Sequence, residues 1–155
     1  MYTSWPGRGT VLLGRVCCAA RARLDALGRA VHEALVETVG IPPDDLFQVL
    51  AGHDGVHSTL RYGGYPGIRR DEGIVYVSIT LRAGRTPARK QALYRRIAEL
   101  AERYAGTEPR NVFVALTENA SIDWSFGEGL AQYATPEHGR PAPLSGEGGG
   151  AGTAG

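Results

Sequence analysis

Two histidines, His53 and His57, have a spacing that can serve metal binding. Side chains four residues apart lie on one face of a helix, and two imidazoles placed in this way can hold a zinc ion. Here Gly52 and Gly55 predict a loop instead of a helix, and no third ligand is evident in the sequence. We therefore expect no metal site, and no other motif calls for a cofactor.

A glycine-rich stretch, Gly63-Gly64-Tyr65-Pro66-Gly67, has a composition that also occurs in phosphate-binding loops. Such a loop follows a strand, opens a helix and carries Lys-Ser/Thr, and this stretch lacks all three features. We predict a turn-rich connection between two larger elements.

The composition is that of a globular protein that can bury a core. Hydrophobic residues make up 43% of the 155 residues, charged residues 21%, and the formal net charge is +1. This charge gives no general case for nucleic acid or an anionic membrane as a partner. Cys17 and Cys18 are adjacent and would point to opposite faces of a strand, which favours a reduced setting. We expect a cytoplasmic protein, and no stretch is long enough to span a membrane.

The chain contains an internal repeat. Ala26-Leu27 recurs as Ala92-Leu93, an offset of 66 residues. The same ungapped offset relates five further pairs, which are Glu33 and Glu99, Gly40 and Gly106, Pro43 and Pro109, Phe47 and Phe113, and Leu50 and Leu116. An offset that holds across a helix, a turn and a strand indicates duplication.

The first repeat reads as strand, helix, strand. An apolar run at 11–17 predicts a strand, and Gly40 followed by Pro42-Pro43 predicts the end of a helix. The second strand is predicted at 46–50. His32 falls beside the buried stripe of the helix, so we expect a packed or half-exposed histidine and not a catalyst. The stripe comprises Leu24, Leu27, Val31, Ala34 and Leu35.

The second repeat has the same order of elements. Residues 74–81 alternate as in a half-buried strand, and Thr86-Pro87 predicts the N-cap and first turn of a helix. Gly106 is predicted to end that helix, and 111–117 forms the fourth strand. The buried stripe of this helix comprises Leu93, Ile97, Leu100, Ala101 and Tyr104.

Together these elements predict an α+β fold, α/β within each unit, of two fused β-α-β repeats. Right-handed crossovers place both helices on one face of a four-stranded sheet, and oligomerisation is expected to cover the other face. The predicted domain spans 10–135, with repeats at about 10–53 and 74–119 and a C-terminal segment at 120–135. An irregular arm is expected at 1–9 and a disordered tail at 136–155.

Three short motifs resemble the tautomerase superfamily. They are Gly84-Arg85-Thr86 between strand and helix, Glu118-Asn119, and Trp124-Ser125-Phe126-Gly127-Glu128-Gly129. The similarity covers about 24–133 and is greatest to the subgroups of malonate semialdehyde decarboxylase and cis-3-chloroacrylic acid dehalogenase. It implies a homotrimer with sheets packed around a central axis.

The resemblance assigns roles to Asp45, Arg82 and Arg85. Asp45 matches the catalytic aspartate of the decarboxylases, with an ordinary turn carboxylate as the alternative. Arg85 matches the arginine that binds the substrate carboxylate during catalysis, with a surface arginine as the alternative. Arg82 and Arg85 satisfy the Arg-x-x-Arg pattern of the dehalogenases, whereas Ala83 fails the Arg-x-Arg pattern of the decarboxylases.

Three aromatic residues, Trp124, Phe126 and Tyr133, match the apolar wall of the decarboxylase pocket and are predicted to bind substrate. Simple packing of the C-terminal segment is the alternative. Ser125 stands where the dehalogenases have a glutamate, so the site matches neither subgroup fully.

The superfamily uses a proline at the start of the mature chain as its acid or base. This chain begins Met1-Tyr2, Pro6 has an internal amide nitrogen, and Gly9 falls at the position of the proline. We therefore expect the catalytic proline to be missing. Three hypotheses follow: an enzyme acting on a small 2-keto or 3-keto acid through a processed proline or Asp45 alone, a non-catalytic trimer that binds small carboxylates, or a misread N-terminal segment.

Overall fold

The computed structural model describes residues 9–12, 16–17, 21–53 and 60–134. The strands are β1 (Gly9–Leu12), β2 (Val16–Cys17), β3 (Gln48–Val49), β4 (Gly52–His53), β5 (Val75–Arg82) and β6 (Val112–Asn119). The helices are α1 (Arg21–Val39) and α2 (Pro87–Ala105). Short 3-10 turns lie at Pro109–Asn111, Ser121–Asp123 and Gln132–Ala134.

Most of the predicted N-terminal arm and C-terminal tail lies outside the described residues, as do His57 and Cys18. The described part of the chain belongs to two units, Met1–Ala120 and Ser121–Gly155. None of its helices combines the length and the apolar character needed to cross a membrane.

Both predicted helices are present and end where their capping residues indicate. Thr86 accepts a hydrogen bond on Oγ1 from the backbone N–H of Arg89 at 3.3 Å and caps the start of α2. Gly106 has a φ of 62° and donates its N–H to the carbonyl of Glu102 at 3.0 Å, which ends the helix. Gly40 ends α1 in the same way, with a φ of 75°. Because a left-handed φ strains residues that carry a Cβ atom, glycine is favoured at both ends.

The sheet described here has six strands, so the predicted number of four is wrong. β5 lies at its centre, antiparallel to β1 and β2 and parallel to β6, while β3 and β4 pair in parallel with β1 and β2. The additional strands arise because the predicted strand at 11–17 is divided into β1 and β2, and because β4 lies beyond the predicted strand at 46–50, which contains only β3.

A change of register separates β1 from β2. Leu12 of β1 pairs with Ser78, and Val16 of β2 pairs with Val75. An advance of four residues from β1 to β2 therefore corresponds to an advance of only three residues along β5. The pairing with β3 and β4 has the same offset, since Leu12 pairs with Val49 and Val16 with Gly52. An offset of one residue interrupts the ladder of backbone hydrogen bonds.

One face of the sheet carries the core. Alternate residues of β5 are buried and join both helices in a single hydrophobic cluster, which confirms that α1 and α2 cover the same face. Full burial of each such side chain contributes roughly 1.5–3 kcal/mol. The largest of the fully buried side chains are Val75, Val77, Ile79, Leu81, Leu27, Val31, Leu35, Leu93, Ile97 and Leu100.

The opposite face of the sheet remains partly accessible in the single chain. Tyr76 of β5 stacks on Phe113 of β6, with ring centroids 5.1 Å apart and planes inclined by 16°. Phe113 is 41% exposed. This face therefore combines aromatic surface with contact to solvent.

Candidate functional site

The turn between β5 and α2 brings the two predicted arginines together. β5 ends at Arg82, and Gly84 has a φ of 117°, a conformation that glycine adopts without strain. The half-buried guanidinium of Arg85 donates a hydrogen bond from Nη1 to the backbone carbonyl of Arg82. The spacing noted in the sequence thus corresponds to a direct contact.

The same turn is attached to the end of β6. The N–H of Ala83 donates to the carbonyl of Asn119 at 2.9 Å, and this bond continues the ladder in which Arg82 pairs with Asn119. One residue earlier on β6, Glu118 lies 2.7 Å from the ammonium of Lys90 in the first turns of α2. The hydrogen bond from Lys90 lowers the pKa of Glu118, and backbone N–H groups of Gly84 and Arg85 contribute to a smaller extent.

Asp45 lies in the connection between α1 and β3, and only 3% of its surface is exposed. Its backbone N–H donates to the carbonyl of Pro42 at 3.0 Å. His32 of α1 contacts the carbonyl of Pro43 through Nε2 at 2.9 Å, so it supports the turn that carries Asp45. His32 is half-buried and has the packed role predicted from the sequence.

Strand registers place Asp45 and the two arginines at the same end of the sheet, where β1 and β3 begin and β5 finishes. Val11 of β1 pairs with both Gln48 and Ile79, so the chain entering β3 and the chain leaving β5 meet at this end. Gly9, which the sequence analysis predicted to match the position of the superfamily proline, begins β1 and pairs with Leu81. The first unit therefore collects three predicted features at one end of its sheet.

Close packing of α1 against β3 and the residue that follows it helps to hold this end of the sheet. Gly28 of α1 accepts a hydrogen bond on its carbonyl oxygen from Nε2 of Gln48 at 2.9 Å. A Cβ atom at Gly28 would lie 2.9 Å from Oε1 of Gln48 and 3.1 Å from Cδ1 of Leu50. The absence of a side chain at Gly28 permits this approach.

The second unit gathers the three predicted aromatic residues into one cluster. Trp124 and Phe126 stack with centroids 5.6 Å apart, while Tyr133 meets Phe126 edge to face at 4.9 Å. Trp124 and Tyr133 are buried, and Phe126 is half-buried. This packing agrees with the structural alternative for these residues; their role as a pocket wall remains a prediction.

Gln132 was not identified from the sequence, although it holds the aromatic segment together. Its Oε1 accepts the N–H of Phe126 at 2.9 Å, and its Nε2 donates to the carbonyl of Gly127 at 2.9 Å. Both bonds join residues close in the chain, but a lone glutamine gives no signal in the sequence that would reveal them.

The glycine-rich stretch forms the predicted turn. Arg70 braces it by donating to the carbonyl oxygens of Gly63 at 2.8 Å and Tyr65 at 2.9 Å. A depression of about 470 Å³ lies at this turn, and none of the predicted site residues lines it. Among the described residues, no group of three His, Cys, Asp or Glu side chains could hold a metal ion.

Comparison with known proteins identifies the same family as the sequence motifs. A family model described as tautomerase enzyme matches residues 45–127. A probable tautomerase of Bacillus subtilis (strain 168), YusQ, is 36% identical over 110 residues, covering 70% of this chain and 85% of that protein.

Two solved structures extend this similarity to the fold. FG41 malonate semialdehyde decarboxylase inhibited by 3-bromopropiolate is 36% identical and has a TM-score of 0.73, with 86% of this chain and 99% of that chain covered. Fused 4-OT, solved as a symmetric trimer, shares the fold with a TM-score of 0.62 at 23% identity, covering 79% and 93% of the two chains. The family model, the YusQ relative and the decarboxylase agree with the motifs at the β5–α2 turn and after β6, and the chain therefore belongs to the tautomerase superfamily.

Proposed function

We propose that this protein is an enzyme that moves a proton next to the carbonyl group of a small keto or enol carboxylic acid. The observation that carries the proposal is the contact between Arg82 and Arg85 in the turn that opens α2. Guanidinium groups bind a carboxylate through two parallel hydrogen bonds, and the N-terminus of a helix adds a favourable dipole. Arg85, assisted by Arg82, would hold the acid group of the substrate.

Asp45 is the acid or base in this proposal. Its carboxyl group is withdrawn from water at the end of the sheet where β5 finishes. As a base, it would take the proton from the carbon beside the carbonyl. The electron pair of the broken C–H bond would form a C=C bond, and the π pair of the carbonyl group would move to its oxygen. Return of a proton to oxygen completes the conversion of a ketone into an enol. A positioned group of this kind contributes roughly 10²–10⁴-fold to a rate.

Trp124, Phe126 and Tyr133 would supply an apolar wall for the substrate. Their mutual packing fixes the orientation of the three rings within the second unit. An apolar wall of this kind excludes water from a bound ligand.

We further propose that the protein assembles as a homotrimer. The support for assembly is the face of the sheet that carries Tyr76 and Phe113, because an aromatic surface of this kind is commonly buried between subunits.

The test is an assay with two acids, an enol-form 2-keto acid for tautomerisation and malonate semialdehyde for decarboxylation. The second is chosen because of the 36% identity to a malonate semialdehyde decarboxylase. Arg85→Ala should abolish most of the rate with whichever acid is turned over. Arg95→Ala is the matched control, since Arg95 is an exposed arginine in the middle of α2.

An equal rate for wild type and Arg85→Ala would reject the assignment of Arg85. Absence of turnover with both acids, together with binding of the acid that is lost in Arg85→Ala, would instead identify a carboxylate-binding protein without catalysis.

A further inference from the structure

A backbone connection and a side-chain connection help to hold the β5–α2 turn against the end of β6. The first is the backbone hydrogen bond from Ala83 to Asn119, which any residue types could form. The second depends on side chains, since Lys90 and Glu118 meet at 2.7 Å. The pair joins the first turns of α2 to the last residues of β6 and thereby spans the segment that contains Arg85.

The Glu118 carboxylate also acts on the turn directly. Its pKa is held below the ordinary value chiefly by Lys90, with smaller contributions from the backbone N–H groups of Gly84 and Arg85. A carboxylate that interacts with these two N–H groups restrains the backbone on the N-terminal side of Arg85. The side chains of Lys90 and Glu118 are 27% and 29% exposed.

A second ion pair provides a comparison within the same chain. Arg96 of α2 and Glu37 of α1 meet at 2.6 Å, with side chains 30% and 41% exposed. This pair connects the two helices and has no part in the β5–α2 turn. Glu37 and Glu118 are thus similar acids in similar contacts, and only Glu118 adjoins the backbone of Arg85.

We infer that Glu118 is a positioning residue that holds Arg85 in the geometry required to bind the carboxylate of the substrate. The inference rests on the proposed function, because it assigns to Glu118 an effect that is exerted through Arg85. Glu118 itself acts through Lys90 and the turn backbone, so its loss should weaken binding of the acid group and leave the proton-transfer step intact. Misplacement of a binding group by about 1 Å can reduce a rate 10²-fold, and a partial loosening of the turn should cost about tenfold.

The experiment compares Glu118→Gln with Glu37→Gln in the intact protein. For each variant, KM and kcat are measured with the acid that the wild-type protein turns over and with the uncharged methyl ester of that acid. Glu118→Gln should raise KM for the acid about tenfold, with kcat and the parameters of the ester close to wild type. Glu37→Gln should leave KM for the acid unchanged. Melting temperatures of the two variants separate this effect from a general loss of stability.

Equal KM values for Glu118→Gln and Glu37→Gln would overturn the inference, as would a parallel rise of KM for the ester. Arg85→Ala in the same series distinguishes the two levels of the argument. A rise in KM for Arg85→Ala without one for Glu118→Gln rejects the positioning role alone. No change for Arg85→Ala rejects the carboxylate-binding function and the positioning role together.

The conservative variant Glu118→Asp supplies a further readout. The shorter carboxylate retains its charge but withdraws from Lys90, so KM for the acid should fall between those of wild type and Glu118→Gln. A KM for Glu118→Asp as high as that for Glu118→Gln in a protein of normal melting temperature would contradict a role based on the retained charge.

Discussion

Arg85 donates a hydrogen bond from its guanidinium group to the backbone carbonyl oxygen of Arg82. The bond closes the turn after β5 and uses one edge of a planar group that has five N–H donors. A guanidinium group can contact a carbonyl oxygen and a carboxylate through different donors. The two residues therefore form one unit, in which the backbone of Arg82 orients the side chain of Arg85.

Replacement of Arg85 by lysine tests this use of a planar group. A lysine ammonium is a compact charge on a flexible stem, so it does not reproduce the fork that contacts a carbonyl and a carboxylate together. We expect Arg85→Lys to weaken binding of a small carboxylic acid by about tenfold, although the positive charge is retained. Titration calorimetry with the acid measures this change. Arg95→Lys, at an exposed position of α2, should bind like wild type. Unchanged affinity in Arg85→Lys would show that charge alone is sufficient.

Asp45 and Asp44 provide a matched pair of adjacent carboxylates. Asp45 is buried, and Asp44 is exposed in the same turn. If Asp45 transfers the proton, Asp45→Asn should lower kcat by roughly 10²–10⁴-fold, whereas Asp44→Asn should leave it unchanged. A fall in melting temperature with normal kcat in Asp45→Asn would instead assign Asp45 a purely structural role in the turn.

Local signals in the sequence were sufficient for the helices and for β5, one of the two longest strands among the described residues. Thr86, Gly40 and Gly106 mark helix ends through conformational preferences of single residues, and the alternation in β5 reports one buried face. These features depend on neighbours in the chain. The spacing of Arg82 and Arg85 was noted in the sequence as a family pattern, but the contact of the Arg85 side chain with the backbone of Arg82 was not predicted.

Features that depend on distant segments were not predicted. The break between β1 and β2 follows from a register that Leu12 and Val16 adopt against β5, and no local pattern encodes such an offset. The ion pair of Lys90 and Glu118 requires β6 to lie beside β5, so it became apparent only with the sheet. Glu118 was noted in the sequence as part of a motif, but without a role.

Assembly can be tested on the open face of the sheet. Phe113 and Tyr94 have similar exposed fractions, 41% and 37%, but Phe113 belongs to β6 and Tyr94 to α2. If the sheet face forms the trimer interface, Phe113→Glu should place a charge in an apolar contact and release monomers. Tyr94→Glu should leave the assembly intact. Light scattering during size-exclusion chromatography measures the mass. A trimer that persists in folded Phe113→Glu would argue against this interface.

Acid should weaken the hydrogen bonds and the ion pair that the carboxylate of Asp71 makes. Its carboxylate accepts hydrogen bonds from the N–H of Gly73 and from Nδ2 of Asn111, each at 2.8 Å, and contacts Arg110 at 2.8 Å. The bond from Gly73 contributes most to a pKa below the ordinary value of 3.8, and Asn111 and Arg110 lower it further. Because the folded state holds the ionised form more strongly, this stabilisation is complete above pH 3.8 and is lost as the pH falls through the lower folded value.

Urea denaturation of wild type and Asp71→Asn between pH 7 and pH 2.5 can measure this contribution. The amide keeps an oxygen for Gly73 but loses the charge that attracts Arg110, so Asp71→Asn should be less stable than wild type at neutral pH. The difference should shrink below pH 3.8, because the wild-type carboxyl group then becomes neutral as well. Glu72→Gln is a suitable control, since Glu72 is exposed beside Asp71. A stability difference between Asp71→Asn and wild type that stayed constant across this range would mean that the loss comes from packing and not from ionisation.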